Sequence, residues 1–127
     1  MIAQNLSTVI LESTTPIETP IAVKVNANGK LEPCDDAATF IGVATPGIEP
    51  DIQTLRAKPT TGPLVVYHKG IAEVIVTAGT YEKGITLTVD STNPGQLKPA
   101  GAGDTVIALA AQTETLSNDD ILQVIIL

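Results

Sequence analysis

Two stretches of the chain repeat the same order of strand, turn, Leu-x-Pro, loop and strand, and this echo constrains the fold more than any other feature. The first runs Ile21–Val25, a turn at Asn26–Gly29, Leu31–Pro33, a small polar loop, then Thr39–Ala44. The second runs Ile85–Val89, a turn at Asn93–Gly95, Leu97–Pro99, a Gly/Ala loop, then Thr105–Ala110. A constant spacing of 66 residues pairs Gly29 with Gly95, Leu31 with Leu97, Pro33 with Pro99, Thr39 with Thr105, Ile41 with Ile107 and Ala44 with Ala110. Each copy needs a reversal with positive φ at its glycine, and each has a proline where ladder pairing ends. Two such units predict an all-β fold, a small barrel or sandwich with internal pseudo-symmetry.

The remaining segments agree with that class. Leu64–Val76 is rich in β-branched residues on both sides of Lys69-Gly70 and reads as two antiparallel strands joined near His68–Gly70. Ile121–Leu127 reads as a buried strand. Between the repeats, Thr45–Pro63 holds four of the nine prolines, which rules out a regular helix and disfavours central strand pairing. It is read as a long surface excursion, with Pro46, Ile48, Pro50, Ile52, Leu55 and Arg56 as candidate contact residues. Residues 1–20 read as an arm, in which Thr8–Leu11 forms a strand before Ser13-Thr14-Thr15-Pro16 breaks it; residues 21–127 form a single β domain.

Hydrophobic residues make up 43% of the chain, yet the only aromatics are Phe40, Tyr67 and Tyr81, so Val, Ile, Leu and Ala must supply the core. A domain of 127 residues buries roughly two-thirds of its unfolded surface without staples. The mean hydropathy of +0.25 without a run of membrane-spanning length points to a subunit interface, hence a homo-oligomer. A net charge of −7 disfavours nucleic acid as a partner, because phosphate binding requires clustered Lys and Arg. Cys34 is alone, so no internal disulfide forms, and the first residues lack the pattern of a secretory signal.

Chemistry is sparse. The single histidine, His68, falls at a turn without a nucleophile partner in the pattern. One Cys and one His do not make a zinc site. Asp35-Asp36 and Asp119-Asp120 read as solvated turns, outside any calcium-loop spacing. The Ala100–Val106 loop lacks a third glycine and leads into a strand, so it is no dinucleotide fingerprint. We expect no enzyme, no cofactor and no metal; a hydrolase with hidden carboxylates would need Glu73 or Asp104 in a concave pocket.

Gly29–Pro33, the short polar loop and Phe40–Ala44, together with Val74–Val76, Ala78-Gly79 and Ile85–Leu87, resemble the capsid cement, or head decoration, proteins of tailed bacteriophages. The resemblance spans roughly residues 20–111 and rests on turn and strand signatures. It implies a β-tulip-like domain with an extended N-terminal arm, often trimeric, that binds the outer surface of an expanded shell in the virion after assembly in the host cytoplasm. The implied partner is the major capsid protein, with no nucleic acid or membrane. The implied contacts lie in the arm, at Ile2, Ala3, Gln4, Asn5, Leu6, Thr8, Val9 and Ile10. The alternative is a fibre-head or surface adhesion module that binds a host receptor.

Overall fold

The protein's structure, a computed structural model, describes residues 8–46 and 57–127. Twelve strands form within them: β1 (Thr8–Thr19), β2 (Ile21–Val25), β3 (Leu31–Pro33), β4 (Gly42–Pro46), β5 (Ala57–Tyr67), β6 (Gly70–Val76), β7 (Gly79–Tyr81), β8 (Thr86–Val89), β9 (Leu97–Pro99), β10 (Ala108–Ala110), β11 (Glu114–Leu116) and β12 (Asp120–Ile126). The one helical turn among the described residues is a 3₁₀ turn at Ala37–Thr39. The fold is all-β, as composition and repeat require.

The first unit is an open sheet in the order β1-β5-β4-β2-β3, and the second is a closed barrel in the order β6-β12-β10-β8-β9. Strand by strand these are the same arrangement. Val23 of β2 faces Pro33 of β3 and Gly42 of β4. Leu87 of β8 faces Pro99 of β9 and Ala108 of β10. The turn glycines stand at φ 77 for Gly29 and 94 for Gly95, the left-handed region that a side chain resists. The duplication therefore extends past the segments that betray it: β5 answers to β12, and β1 to β6.

One difference separates the copies. In the second unit β6 and β9 pair in parallel at Val76 and Leu97, and Thr77 N–H donates to Leu97 O at 2.9 Å, which closes the barrel. In the first unit no ladder joins β1 to β3, and Lys30 Nζ reaches Glu12 Oε1 at 3.2 Å across the seam.

The units are fused through their cores. Val74 and Val76 point into the barrel with Tyr81, Leu87, Leu97 and Leu122, whereas Ile75 between them points the other way, into the first unit against Ile17, Val23, Leu31 and Leu64. Ala22, Cys34 and Val43 of the first unit in turn enter the barrel's core. Backbone bonds weld the joint: Ala22 N–H to Gly95 O, Gly95 N–H to Cys34 O, Cys34 N–H to Ala22 O and Ile75 N–H to Pro20 O, all 2.8 to 2.9 Å. Cys34 is fully buried, and burial pushes its thiol up, so it packs as a small apolar group.

Several expectations are corrected. β5 and β6 are not a hairpin, because β5 pairs with β1 and β4 while β6 pairs with β12 and β9, so the chain changes sheets at His68-Lys69. The proline-rich stretch is in part strand: β4 runs through Pro46 and β5 starts at Ala57, with Pro63 opposite Glu12. Among the described residues β4 pairs with β5 only as far as Pro46 opposite Leu64, and residues 57–63 pair with β1. The arm does not extend to residue 20, since Thr8–Thr19 belongs to the sheet and Ile17 is buried in its core. β12 is not buried throughout: Leu122, Val124 and Ile126 face the barrel interior, and on the other face Ile121 packs against the first unit's core while Gln123 and Ile125 are exposed.

Ile75 and Ile71 share β6 but differ in burial, 0% against 66% exposed. Ile75→Ala is expected to cost about 2–5 kcal/mol, the range for a large-to-small change in a packed core. Ile71→Ala should stay within about 0.5 kcal/mol, as usual for surface positions. Denaturant melts of the two variants check the pair.

Candidate functional site

The contact residues anticipated from sequence fall into three groups. Ile2, Ala3, Gln4, Asn5 and Leu6, and likewise Ile48, Pro50, Ile52, Leu55 and Arg56, lie outside the described residues. Thr8, Val9 and Ile10 are placed on β1 opposite Tyr67, Val66 and Val65. Pro46 ends β4 opposite Leu64, which Leu11 of β1 faces from the other side. β1 and β4 thus flank β5, two strand spacings apart or roughly 10 Å. β1 starts at the Tyr67 end of β5, whereas β4 runs from that end towards the Ala57 end.

β1 is the outermost strand on its side of the sheet. Its pairing with β5 is regular from Thr8 to Ser13 and shifts register between Ser13 and Ile17 and again before Thr19. The Ser13-Thr14-Thr15-Pro16 segment, expected to break the strand, bends it instead. Val9 and Ile10 are exposed, and Ile10 is 63% open to solvent.

The acids are held locally. A polar cleft beside β8 and β9 is lined by Asp35, Asp36, Thr88, Ser91, Lys98 and Asp104. Asp35 accepts from Lys24 Nζ at 3.0 Å, and that bond lowers its carboxyl pKa. Asp36 accepts from Ala38 N–H at 3.0 Å and caps the 3₁₀ turn, while Asp104 accepts from Gly101 N–H at 2.7 Å. Glu73, whose carboxyl is pushed up by burial, faces Gln123 on the β6–β12 ladder and does not line this cleft. The hydrolase reading needed Glu73 or Asp104 in a concave pocket. Asp104 lines this open cleft without Glu73, its carboxylate bound back to its own loop. His68 is exposed at the β5–β6 connection, and no cluster of three metal-ligating side chains occurs among the described residues.

The sequence reading overlooked Asp90, the buried carboxylate at the end of β8. It accepts from Thr92 N–H at 3.0 Å, Thr92 Oγ1 at 2.7 Å, Asn93 Nδ2 at 3.0 Å and the Thr77 hydroxyl. Tyr81 Oη donates to Thr77 O at 2.6 Å, and Gln96 Nε2 donates to Asp119 Oδ2 at 2.8 Å. The network ties the β8–β9 turn to the β6–β7 corner. Its signal was present in Asp90-Ser91-Thr92-Asn93-Pro94-Gly95, an Asx-turn pattern of which only the last three residues had been read as a turn.

Burial alone raises the Asp90 pKa, but the bonds from Thr77, Asn93 and Thr92 outweigh it and hold the carboxyl well below the usual range. Tyr81, buried and beside that charge, is pushed up to about 12. Because the folded pKa of Asp90 is depressed, its stabilisation is full above the unfolded value of about 3.9 and is lost as pH falls below it. Asp90→Asn is therefore expected to lower the melting temperature at neutral pH and to flatten its fall between pH 5 and 2, measured by thermal melts across that range. Comparison of the chain with models of known protein families and with curated proteins finds no match.

Proposed function

We propose that the chain is a structural virion protein that decorates the outer surface of a bacteriophage capsid and stabilises it by bridging neighbouring shell subunits. The observation that carries the reading is β1, an edge strand with exposed aliphatic side chains held on a rigid double β unit. Such an edge offers unpaired backbone groups to an extended segment of another protein, and the flanking side chains supply apolar contact. The segments that resemble cement proteins, Gly29–Pro33 and Phe40–Ala44, supply the β2–β3 turn, β3 and the start of β4, which are scaffold rather than chemistry. In this reading the partner is the major capsid protein. Three cooperating copies of the chain turn modest contacts into firm attachment, since linked sites gain avidity without new contacts. The net charge of −7 keeps free copies dispersed before assembly.

Residues 1–7 precede β1, so their removal leaves the β1–β5 ladder whole, whereas a cut at Glu12 would strip Leu11 from its packing against the core. A chain lacking residues 1–7 should melt as the full chain does. It should bind expanded capsids of the phage that encodes it at least about tenfold more weakly, a loss of about 1.4 kcal/mol, read by co-sedimentation. A full-length chain that ignores such capsids and attaches to host cells overturns the proposal in favour of the adhesion module.

A further inference from the structure

The barrel closes on a narrow seam. β6 and β9 pair in parallel at one position, Val76 with Leu97. The residues beside that pair, Thr77 after β6 and Gln96 before β9, meet across the seam, with Thr77 Oγ1 3.1 Å from Gln96 Oε1. The equivalent place in the first unit carries a clasp of another kind. The 66-residue spacing matches Gln96 with Lys30, and Lys30 Nζ reaches Glu12 Oε1 at 3.2 Å. In both units the residue before the Leu-x-Pro strand reaches across. In the second, the groups that meet are an alcohol and a carboxamide.

Each of the two groups is held by a carboxylate. Buried Asp90 accepts from the Thr77 hydroxyl. A hydroxyl carries one proton, so with that proton on the charged acceptor an Oγ1 lone pair is left towards the amide. On the far side Gln96 Nε2 donates to Asp119 Oδ2 at 2.8 Å, which sets the carbonyl of the amide, not its NH₂, against Thr77. Satisfying Asp90 does not require Gln96 or Asp119, because Asp90 already accepts from Thr92 N–H, Thr92 Oγ1, Asn93 Nδ2 and Thr77. A nucleophile, a proton acceptor and an oriented acyl group are the components of acyl transfer. Asp90 is a weak base, since its bonds stabilise its charge, so the step is slow. A bond made once in the life of the molecule needs no turnover, and groups held in contact react as if at about 10⁵ M or more.

We infer that Thr77 and Gln96 join spontaneously in an intramolecular ester that locks the seam of the barrel. Thr77 Oγ1 attacks Gln96 Cδ, so that the Oγ1–Cδ bond forms and the Cδ–Nε2 bond breaks. The hydroxyl proton passes by way of Asp90 to the nitrogen, which leaves as ammonia. The balance needs no further reactant, and dilution and protonation of the ammonia in water draw the exchange forward. Asp119 is a positioning residue that keeps the amide carbonyl turned to Thr77. The ester closes the segment carrying β7 and β8 into a covalent loop, which constrains the unfolded chain as a disulfide does. The clasp does not depend on what the protein attaches to.

Intact mass of the purified full-length chain, followed at neutral pH until it is constant, tests the ester. The final mass should fall short of the sequence by one ammonia. A protease digest should give one linked species holding the Thr77 and Gln96 peptides, and hydroxylamine, which cleaves esters and spares amides, should part them. Gln96→Met leaves the four bonds to Asp90 in place; it should keep its full sequence mass and melt at a lower temperature than wild type. Thr77→Ser retains the alcohol and should still link, whereas Thr77→Val should not. Asp119→Ala should lose ammonia several-fold more slowly than wild type, and an unchanged rate overturns its positioning role. A wild-type chain that keeps its full mass overturns the ester, whatever the variants do. So does a missing ammonia that maps to Asn28-Gly29, an exposed turn at which succinimide formation gives the same change in mass.

Discussion

The structure depends on one strand that is buried on both faces. Val74, Ile75 and Val76 of β6 are each fully buried, the outer two in the barrel core and the middle one in the core of the open sheet. Side chains alternate along a strand, so a single strand between two interiors must be apolar at consecutive positions. Burying each such side chain contributes about 1.5–3 kcal/mol. Around it, the bonds among Ala22, Cys34 and Gly95 tie the β2 start, the loop after β3 and the β8–β9 turn into one joint. Neither unit has a core that is wholly its own, so the two copies of the repeat stand as one domain.

Given that joint, the contrast between the copies becomes informative. Both have five strands in equivalent order, yet only the second closes. β6 meets β9 at Val76 and Leu97, whereas β1 shifts register after Ser13 and forms no ladder with β3. The opening is not a void, since Ile75 and Ile121 of the second unit pack into the first unit's core. Closure removes the edges of one copy, and the other keeps β1 as an edge strand.

Much of the scaffold was legible in the residues. The hairpins at Val25–Leu31 and Val89–Leu97 follow from a turn glycine at positive φ and a Leu-x-Pro strand, all local signals. What stayed hidden was pairing at a distance. Nothing near His68-Lys69 says that β5 and β6 part company, because the partners that separate them, β1 and β12, lie at opposite ends of the sequence. Pro59 and Pro63 looked like breakers, yet proline forbids pairing on one edge of a strand, not both, and β5 pairs with β1 through this stretch. The exposed face of β12 was concealed for another reason. In Ile121-Leu122-Gln123-Val124-Ile125-Ile126 all but one residue is apolar, so alternation cannot tell the inside from the outside. At the N-terminal side, the strand at Thr8–Leu11 was anticipated, and its continuation to Thr19 was not.

An exposed edge with apolar flanks invites indiscriminate pairing, and β1 restricts the invitation along its length. After Ser13 the register shifts and Pro16 spoil the regular spacing that another strand would need. Glu12, bound to Lys30, ties the middle of the strand to the β2–β3 turn. That leaves Thr8–Leu11 as the part of the edge whose pairing with β5 is regular and whose outer side is free of these blocks. A short stretch gives few ladder bonds, each worth about 0.5–1.5 kcal/mol net, too little to hold a stray chain firmly. On the proposed decoration role, so short a stretch would attach firmly only where the apolar side chains beside it are matched at the same time, and that double requirement would discriminate against partners that supply a strand alone.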